Sequence, residues 1–145
     1  MIRVNAAFDR VDQVESLRGR VKGATDLARL VKEQQLPQQT PAAFVLPGSL
    51  TGGAAALATG FFRQAFSETL SVVLVVRVAD DPTGKRALDA MAPVITDVVT
   101  AITGWGPDDS PGVFVLVRGD VTGAEVGALI YQLDFRLDDQ LRITT

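Results

Sequence analysis

The sequence predicts an α+β fold, in which a mixed, mostly antiparallel β-sheet packs against helices on one face and carries a long β-hairpin or mobile loop as an arm. Three patterns support this prediction. Strict alternation over Gly127–Ile143 and over Phe61–Val78 is typical of strands with one buried and one open face. Between Leu88 and Ile102, apolar residues three and four apart predict an amphipathic helix. With 145 residues, the chain suits a single domain covering 1–145.

The first elements are a helix and a short strand. Apolar residues recur mostly three or four apart over Ile2–Leu17, which predicts an amphipathic helix. Gly19 is expected to end this helix, because glycine is a common helix terminator. Arg20–Lys22 is predicted to form a short strand.

A second helix and a loop follow. Thr25 or Asp26 can cap this helix, which is predicted to run through Glu33. The segment Leu36–Pro41 is rich in proline and glutamine and is predicted to be a loop. Ala42–Leu46 is entirely apolar and is predicted to be a short buried strand.

The middle of the chain predicts an exposed segment followed by a long strand. Pro47–Gly48 is expected to stop the preceding strand, and Gly48–Gly60 is rich in glycine and small side chains. This segment is therefore predicted to be an exposed mobile loop or the tip of a long hairpin. Phe61–Val78 is longer than typical strands, which suggests an arm reaching beyond the domain body, with a bend near Glu68.

The helix in the second half of the chain has start and stop signals. Asp81-Pro82 is a helix-start pair, with aspartate as the cap and proline at the first position. Pro93 is expected to kink or locally break the helix. Gly104 is expected to close it.

The last third predicts a turn, a central strand and a hairpin. Trp105–Gly112 contains proline and aspartate and is predicted to be a turn segment. Val113–Arg118 is apolar on both faces, so it is predicted to be a central strand. Gly119-Asp120 is expected to begin a turn. Because the last two strands have a short link, they are predicted to form an antiparallel hairpin.

Composition narrows the possible functions. The chain has 14 basic and 17 acidic residues, and this net charge of −3 argues against nucleic-acid binding by a basic surface. It contains neither cysteine nor histidine, which lowers the expectation of catalysis and of transition-metal binding. A mean hydropathy of +0.22 fits either alanine and valine richness or apolar surface covered by neighbouring copies. Neither a signal segment nor a membrane span is predicted.

Several candidate sites have structural explanations. Gly48–Gly53 lacks the Lys-Ser/Thr that a phosphate-binding loop needs. Arg118-Gly119-Asp120 spells an integrin-recognition tripeptide, but it ends a predicted strand and begins a predicted turn. The serines have no histidine partner, and no Ser-Lys spacing indicates a dyad. Three acidic pairs could hold Mg²⁺ or Ca²⁺, but they lie at turns, where aspartate is favoured anyway. These pairs are Asp80-Asp81, Asp108-Asp109 and Asp138-Asp139.

Stretches along nearly the whole chain carry a resemblance to a known family. They are GRVKGATDLARL, TPAAFVLPGSLTGG, FRQAFSETLSVVLVVR, GKRALDAMAPVITDVVTAITGW, GVFVLVRGD and ALIYQLDFRLDDQLRI. Taken in this order, and most of all in the closing YQLDF-like strand, they resemble the tail terminator proteins of long-tailed bacteriophages and prophages. These motifs are packing patterns and contain no catalytic signature.

The resemblance implies a structural role in the virion. It implies a small α+β subunit of a homo-hexameric ring that caps the head-proximal end of the tail tube, ends tube polymerisation and offers a docking surface for the head connector or stopper protein. It implies DNA passing through the lumen without specific binding, location in the tail or neck of the virion, and assembly in the host cytoplasm. It implies no enzyme activity, no cofactor, no metal site and no membrane partner.

Three regions are then expected to make subunit contacts. The first is the segment Gly48–Gly60 with the start of the long strand, reaching a neighbour or the tube. The second is the polar row of the last strand, facing another subunit. The third is a set of arginines, which are the expected donors of ion pairs between subunits. They are Arg63, Arg77 and Arg136. The full set of expected contact residues is Phe61, Phe62, Arg63, Arg77, Gln132, Asp134 and Arg136.

Two alternatives remain open at this point. One is another neck, tail-completion or minor tail protein, because such proteins share small α+β domains and ring symmetry. The other, from a different class, is a small enzyme or ligand-binding domain that uses carboxylates and a divalent metal. A true ligand of this kind would raise the melting temperature in a concentration-dependent way.

Overall fold

The computed structural model describes residues 2–81, 83–107, 112–125 and 127–144. In these ranges the helical and strand order is the one predicted from the sequence. The elements are α1 (Val4–Asp12), a 3-10 helix (Glu15–Leu17), β1 (Val21–Lys22), α2 (Ala24–Lys32), β2 (Ala42–Ala58), β3 (Phe61–Arg77), α3 (Lys85–Ile102), β4 (Phe114–Glu125) and β5 (Ala128–Thr144).

The described strands form one mixed sheet in the order β1-β2-β3-β5-β4. Only β1 and β2 pair in parallel, and the other three pairings are antiparallel. The predicted hairpin of the last two strands is therefore confirmed. The strands β2, β3 and β5 have 17 residues each, so the sheet is unusually long in the strand direction.

The main core lies between one face of this sheet and the helices α1 and α3. Leu70, Leu74 and Phe135 project from β3 and β5 and are almost fully buried. They pack in one cluster with Met91 of α3 and Val11 of α1. The alternation that predicted the buried faces of both strands is confirmed, and the predicted α+β class is confirmed with it.

The opposite face of the sheet holds a second, smaller cluster. Phe44, Val73 and Val75 are buried there, and Leu27 and Leu30 of α2 pack against them. Helices α1 and α3 thus lie on one face and α2 on the other, so the predicted placement of the helices on one face is wrong for α2. The helical pattern of α2 indicated an apolar side but carried no information about which face it would cover.

Helices α2 and α3 do not begin as predicted. The N-cap of α2 is Gly23, not Thr25 or Asp26, and no side chain caps it. Helix α3 begins at Lys85 after Gly84, which has a positive φ of 74°. Asp81 still serves this helix end, because its carboxylate accepts hydrogen bonds from the backbone N–H groups of Arg86 and Ala87. The predicted role of Pro82 lies outside the described residues.

The observed bounds of the helices test the predictions for the first helix and for α3. The first predicted helix is split, because α1 ends at Asp12 and a 3-10 turn carries the chain to Leu17. Helix α3 runs through Pro93 without interruption, so the predicted local break is wrong, and the alternative of a kink stays a prediction. Gly104 has a positive φ of 79° just after α3, and the predicted helix end is confirmed.

Strand β2 continues where the sequence predicted a stop. Pro47 pairs with Leu70, and after a register shift the pairing with β3 resumes at Leu50 and continues to Ala58. Proline is tolerated there because β1 pairs only with the start of β2. The mobile-loop expectation for Gly48–Gly60 is therefore wrong, and the hairpin alternative is confirmed.

Candidate assembly surfaces

Three strands project beyond the helices as an extension of the sheet, which we call the arm. It consists of residues 50–58 of β2, 61–68 of β3 and 138–144 of β5. Strand β4 ends its pairing at Leu137 and takes no part in it. Apart from Phe66, Glu68 and the side chain of Asp139, the described arm residues are partly or fully exposed. The long strand and the small-residue segment predicted from the sequence thus form one structure.

One face of the arm is apolar. Leu57, Phe62 and Ile143 lie side by side across its three strands, as the pairing registers show. Leu57 is 82% exposed and Ile143 is 47% exposed. Leu50 adds a further exposed side chain on the same face. Contiguous exposed apolar side chains of this kind are typical of a surface that another molecule covers.

The other expected arm residues point to the opposite face. Phe61 pairs with Ala58 on one side and Thr144 on the other, and it is more than one-third exposed. Arg63 is exposed and lies beside Arg142 of β5. The two arm faces therefore differ in character, one apolar and one mixed.

A buried ionic cluster holds the base of the arm. Nη1 of Arg3 donates to Oε2 of Glu68 at 2.9 Å, and Nη2 lies 3.4 Å from Oδ2 of Asp139. The backbone N–H of Arg3 also donates to Glu68, and its guanidinium lies over the ring of Phe66. Sequence analysis missed this cluster. In the sequence, the cluster is indicated by Glu68, a charged residue on the otherwise apolar side of the long strand.

The polar row of β5 lies on the face opposite the main core, and its members interact. Asp134 accepts hydrogen bonds from Gln132 at 2.9 Å and from Ser71 at 2.6 Å. Arg136 pairs with Asp138 at 3.3 Å, with both side chains about half exposed. The structure thus brings Gln132, Asp134 and Arg136 together. Of the three, Arg136 is the most accessible.

Arg77 lies far from the rest of the predicted contact set. It pairs with Ala128 at the end of β3 opposite the arm. Its guanidinium donates to the carbonyl oxygen of Pro37 at 3.2 Å. Any subunit contact that Arg77 makes would therefore be separate from those of the arm.

Strand β4 is an edge strand, and its predicted central position is wrong. It pairs with β5 on one side, and no other described strand lies beyond it. Four of its large apolar side chains are 40–53% exposed, and Val113 just before it is 43% exposed. The four are Val115, Leu116, Val117 and Val121. By contrast, Phe114 is fully buried and stacks on Trp105.

The integrin-like tripeptide lies inside β4 and begins no turn. Gly119 pairs with Leu133, and the strand continues to Glu125. A side chain at Gly119 would collide with the ring of Tyr131. Arg118 and Asp120 form an exposed ion pair at 2.5 Å. The extended backbone explains these three residues without a receptor-binding loop.

The acidic pairs take part in local structure. Asp81 caps α3, and Asp139 belongs to the buried cluster at the arm. Asp138 accepts from Ser67 at 2.6 Å. The pair Asp108-Asp109 lies outside the described residues. Within the described ranges, no three acidic side chains come together in a way that could hold a metal ion.

Comparison with known proteins identifies the family. A family model described as phage tail terminator protein matches residues 1–145. The chain belongs to the phage tail terminator family. This confirms the resemblance seen in the sequence. No curated protein matches the chain.

Membership in the tail terminator family makes the protein a structural component of a bacteriophage tail and so of the virion. It points to a role without catalysis and to partners among other phage tail and head proteins. Among the described helices, none has the length and apolar character needed to cross a membrane.

Proposed function

We propose that this tail terminator protein forms a homo-hexameric ring that caps the head-proximal end of the tail tube. The ring ends tube polymerisation and presents a docking surface to the head connector or stopper protein. The single observation that carries this proposal is the arm, an extension of the sheet with an exposed apolar face. The subunits are made in the host cytoplasm and end in the tail or neck of the virion.

The arm supports the proposed assembly because one of its faces exposes apolar side chains that a contact would cover. Leu50, Leu57 and Ile143 leave considerable apolar area in water on one arm face. At about 25 cal/mol per Å², covering this area in a contact would be favourable. Phe62 adds to this apolar face, and Phe61 and Arg63 lie on the other face of the arm. A neighbouring subunit or the tube end is the proposed cover.

The polar row is proposed as a second contact, with another subunit. Asp134 is already held by Gln132 and Ser71. The row is therefore a fixed arrangement of charges and not a set of loose side chains. Arg136 projects beyond it and can reach a carboxylate across an interface. Polar contacts of this kind add specificity and register more than affinity.

The charge distribution supports a channel that releases DNA. The chain has three more acidic than basic residues. On the polar face, Arg136 pairs with Asp138, and on β4, Arg118 pairs with Asp120. A lumen rich in unpaired cations would retain the phosphates of a passing duplex. Paired or acidic surfaces let DNA slide without specific binding.

The proposal is tested by growth of tail tubes in solution. Purified tube protein is polymerised with and without this protein, and tube length is followed by light scattering and electron microscopy. We expect growth to stop at a ratio near six subunits per tube. Phe61→Asp on the arm should remove this effect, whereas Leu88→Asp, at an exposed position on α3, should retain it. Growth that is unaffected by the wild-type protein would contradict the proposal.

A further inference from the structure

Strand β4 combines two properties that do not fit a solvated edge. Its first residues, 114–117, are apolar on both faces, as expected of a central strand, yet in the described part of the chain β4 has a neighbour on one side only. It is 12 residues long. Natural sheets protect such edges with charges, prolines or short strands, because an exposed backbone edge pairs with other strands. Two charged side chains of this edge, Arg118 and Asp120, pair with each other. Its exposed apolar side chains, at 115–117 and 121, make the edge suited to pairing in the assembled state.

The sheet has a second free edge on its other side. Strand β1 pairs with β2 only at Ala43 and Phe44. From Pro47 to Ala58, the outer side of β2 has no described strand beside it. We call residues 47–58 the free part of β2. It contains 12 residues, the same number as β4.

The two free edges have compatible directions. Strands β3, β5 and β4 are each antiparallel to the strand before them in the sheet order, so β4 runs opposite to β2. If copies are related by rotation about the axis of a closed sheet, β4 of one copy meets β2 of the next in antiparallel orientation. The alternation within each subunit then continues across the boundary.

The side chains at the two edges are also compatible. Leu116 and Val121 pair with Phe135 and Tyr131, which places them on the same sheet face as the main core. Leu57 lies on that same face through its pairing with Phe62. In a merged sheet these faces are continuous. Exposed apolar side chains of β4 would therefore lie beside exposed apolar side chains of the arm.

The two free edges are offset along the strand direction, as a closed sheet with tilted strands requires. Strand β4 lies level with residues 128–137 of β5, whereas the free part of β2 lies level with residues 135–144. The offset is about seven residues, or about 23 Å at ~3.3 Å per residue. Four strands at ~4.8 Å give a width of about 19 Å. The resulting tilt of about 50° is close to the 35–45° of closed sheets, which need such a stagger.

We propose that β4 of each copy pairs with the free part of β2 of the next copy, so that the sheets of all copies merge into one closed sheet. This inference rests on the ring of the proposed function and names the surfaces that close it. The occupant of each edge is a second copy of this chain. The contact is head-to-tail, since it joins two different surfaces, and head-to-tail contacts form a ring when the rotation from one copy to the next closes.

Other contacts between copies would leave one edge of each sheet unpaired. A β4-to-β4 contact is self-complementary and ends at a dimer, with both arms still exposed. An arm-to-arm contact leaves both β4 edges free. Only the β4-to-β2 contact occupies both edges in every subunit. These alternatives make different predictions for variants that disable one edge at a time.

The test uses two double variants. The β4 variant carries Leu116→Lys and Val121→Lys, and the arm variant carries Leu50→Lys and Leu57→Lys. All four positions are exposed, so both variants should fold, which circular dichroism checks. If either does not, Val121→Lys and Leu57→Lys serve as single replacements. Val31→Lys, at an exposed position on α2, is the control for an added surface charge.

Each variant alone should stay monomeric at concentrations where the wild-type chain associates, in solution or on tube ends. Mixed together, they should form a 1:1 complex of twice the 15.4 kDa chain mass and nothing larger. The intact arm edge of the β4 variant then pairs with the intact β4 of the arm variant. Native mass spectrometry and sedimentation velocity measure these masses.

The remaining outcomes overturn the inference in distinguishable ways. If the arm variant dimerises alone, β4 pairs with itself, and if the β4 variant dimerises alone, the arms pair. If the wild type and Val31→Lys assemble but the mixture stays monomeric, the edges do not form the contact, while the ring of the proposed function stands. If the wild-type chain assembles neither in solution nor on tube ends, the proposed ring is wrong.

Discussion

Arg3 and Glu68 lie 65 residues apart in the chain and form a buried ion pair, with 2.9 Å between Nη1 and Oε2. Both side chains are less than one-tenth exposed. The pair joins the start of the chain to the base of the arm, where Asp139 of β5 supplies a second carboxylate. The position of the arm relative to the helices therefore depends on charges that neither helix nor strand propensity specifies.

Removal of one partner of this cluster should be costly. Glu68→Ala removes one carboxylate from the buried guanidinium, and we expect a loss of about 3 kcal/mol in the free energy of unfolding. Arg3→Met should have a similar effect. The double variant should lose less than the sum of both, since the residues are coupled. Urea denaturation, followed by the fluorescence of the single tryptophan, Trp105, measures all three.

The exposed ion pair of Arg29 and Glu33 on α2 is the control, with 3.9 Å between its charged atoms. Glu33→Ala should change the stability by less than about 0.5 kcal/mol. If the losses from Arg3→Met and Glu68→Ala are additive, the two side chains do not act as a pair.

Two glycines of β2 should respond differently to the same substitution. A Cβ at Gly48 would lie 2.3 Å from Oγ1 and 2.7 Å from the carbonyl oxygen of Thr69, so β2 and β3 would have to separate. Gly48→Ala should cost about 2 kcal/mol. At Gly52 the close atom is Nε2 of Gln64, the end of a flexible side chain, so Gly52→Ala should be neutral or slightly stabilising. Thermal melts and hydrogen exchange of the arm measure both effects, and equal losses would contradict this account of the strand contact.

The start of α3 should depend on Asp81. Its carboxylate accepts from the N–H groups of Arg86 and Ala87, at 3.3 and 2.8 Å, and the residue is buried. Asp81→Ala should lower the stability by about 1–2 kcal/mol, as expected for the loss of a helix cap. Asp89→Ala, at an exposed position of the same helix, should have little effect. A loss of the same size in both variants would show that general charge, and not capping, is responsible.

The polar row predicts a charge-reversal effect on assembly. Arg136→Glu places a third carboxylate between Asp134 and Asp138, which reverses the charge offered to a neighbouring subunit. We expect ring formation to be blocked while the far-UV circular dichroism spectrum stays unchanged, because Arg136 is half exposed in the folded chain. Electron microscopy and sedimentation measure the ring. Arg29→Glu on α2 is the control, and normal rings from Arg136→Glu would remove the polar row from the interface.

Much of the fold could be predicted from local patterns. The alternation around Leu74 and Leu133 identified the buried faces of β3 and β5, because a strand with one covered face places every second residue in the core. The periodicity of α3 identified Met91 and Val98 in the same way. These patterns depend only on one element and the face that it buries.

Features that depend on neighbours in space could not be predicted. The apolar pattern around Val115 indicates burial on both faces but not whether a strand of the same chain or of another supplies the cover. Pro47 indicates a strand end, yet it is tolerated where the outer side of β2 faces no other described strand. The pairing of Arg3 with Glu68 joins distant segments, so neither residue's local sequence specifies it.

The most direct test of the central claim is negative-stain electron microscopy of the protein mixed with its tail tubes. We predict a ring at one end only of each tube, the head-proximal end, and no growth beyond it. Rings at both ends, binding along the tube walls, or tubes with bare ends in the presence of excess protein would contradict the terminator role proposed for this chain.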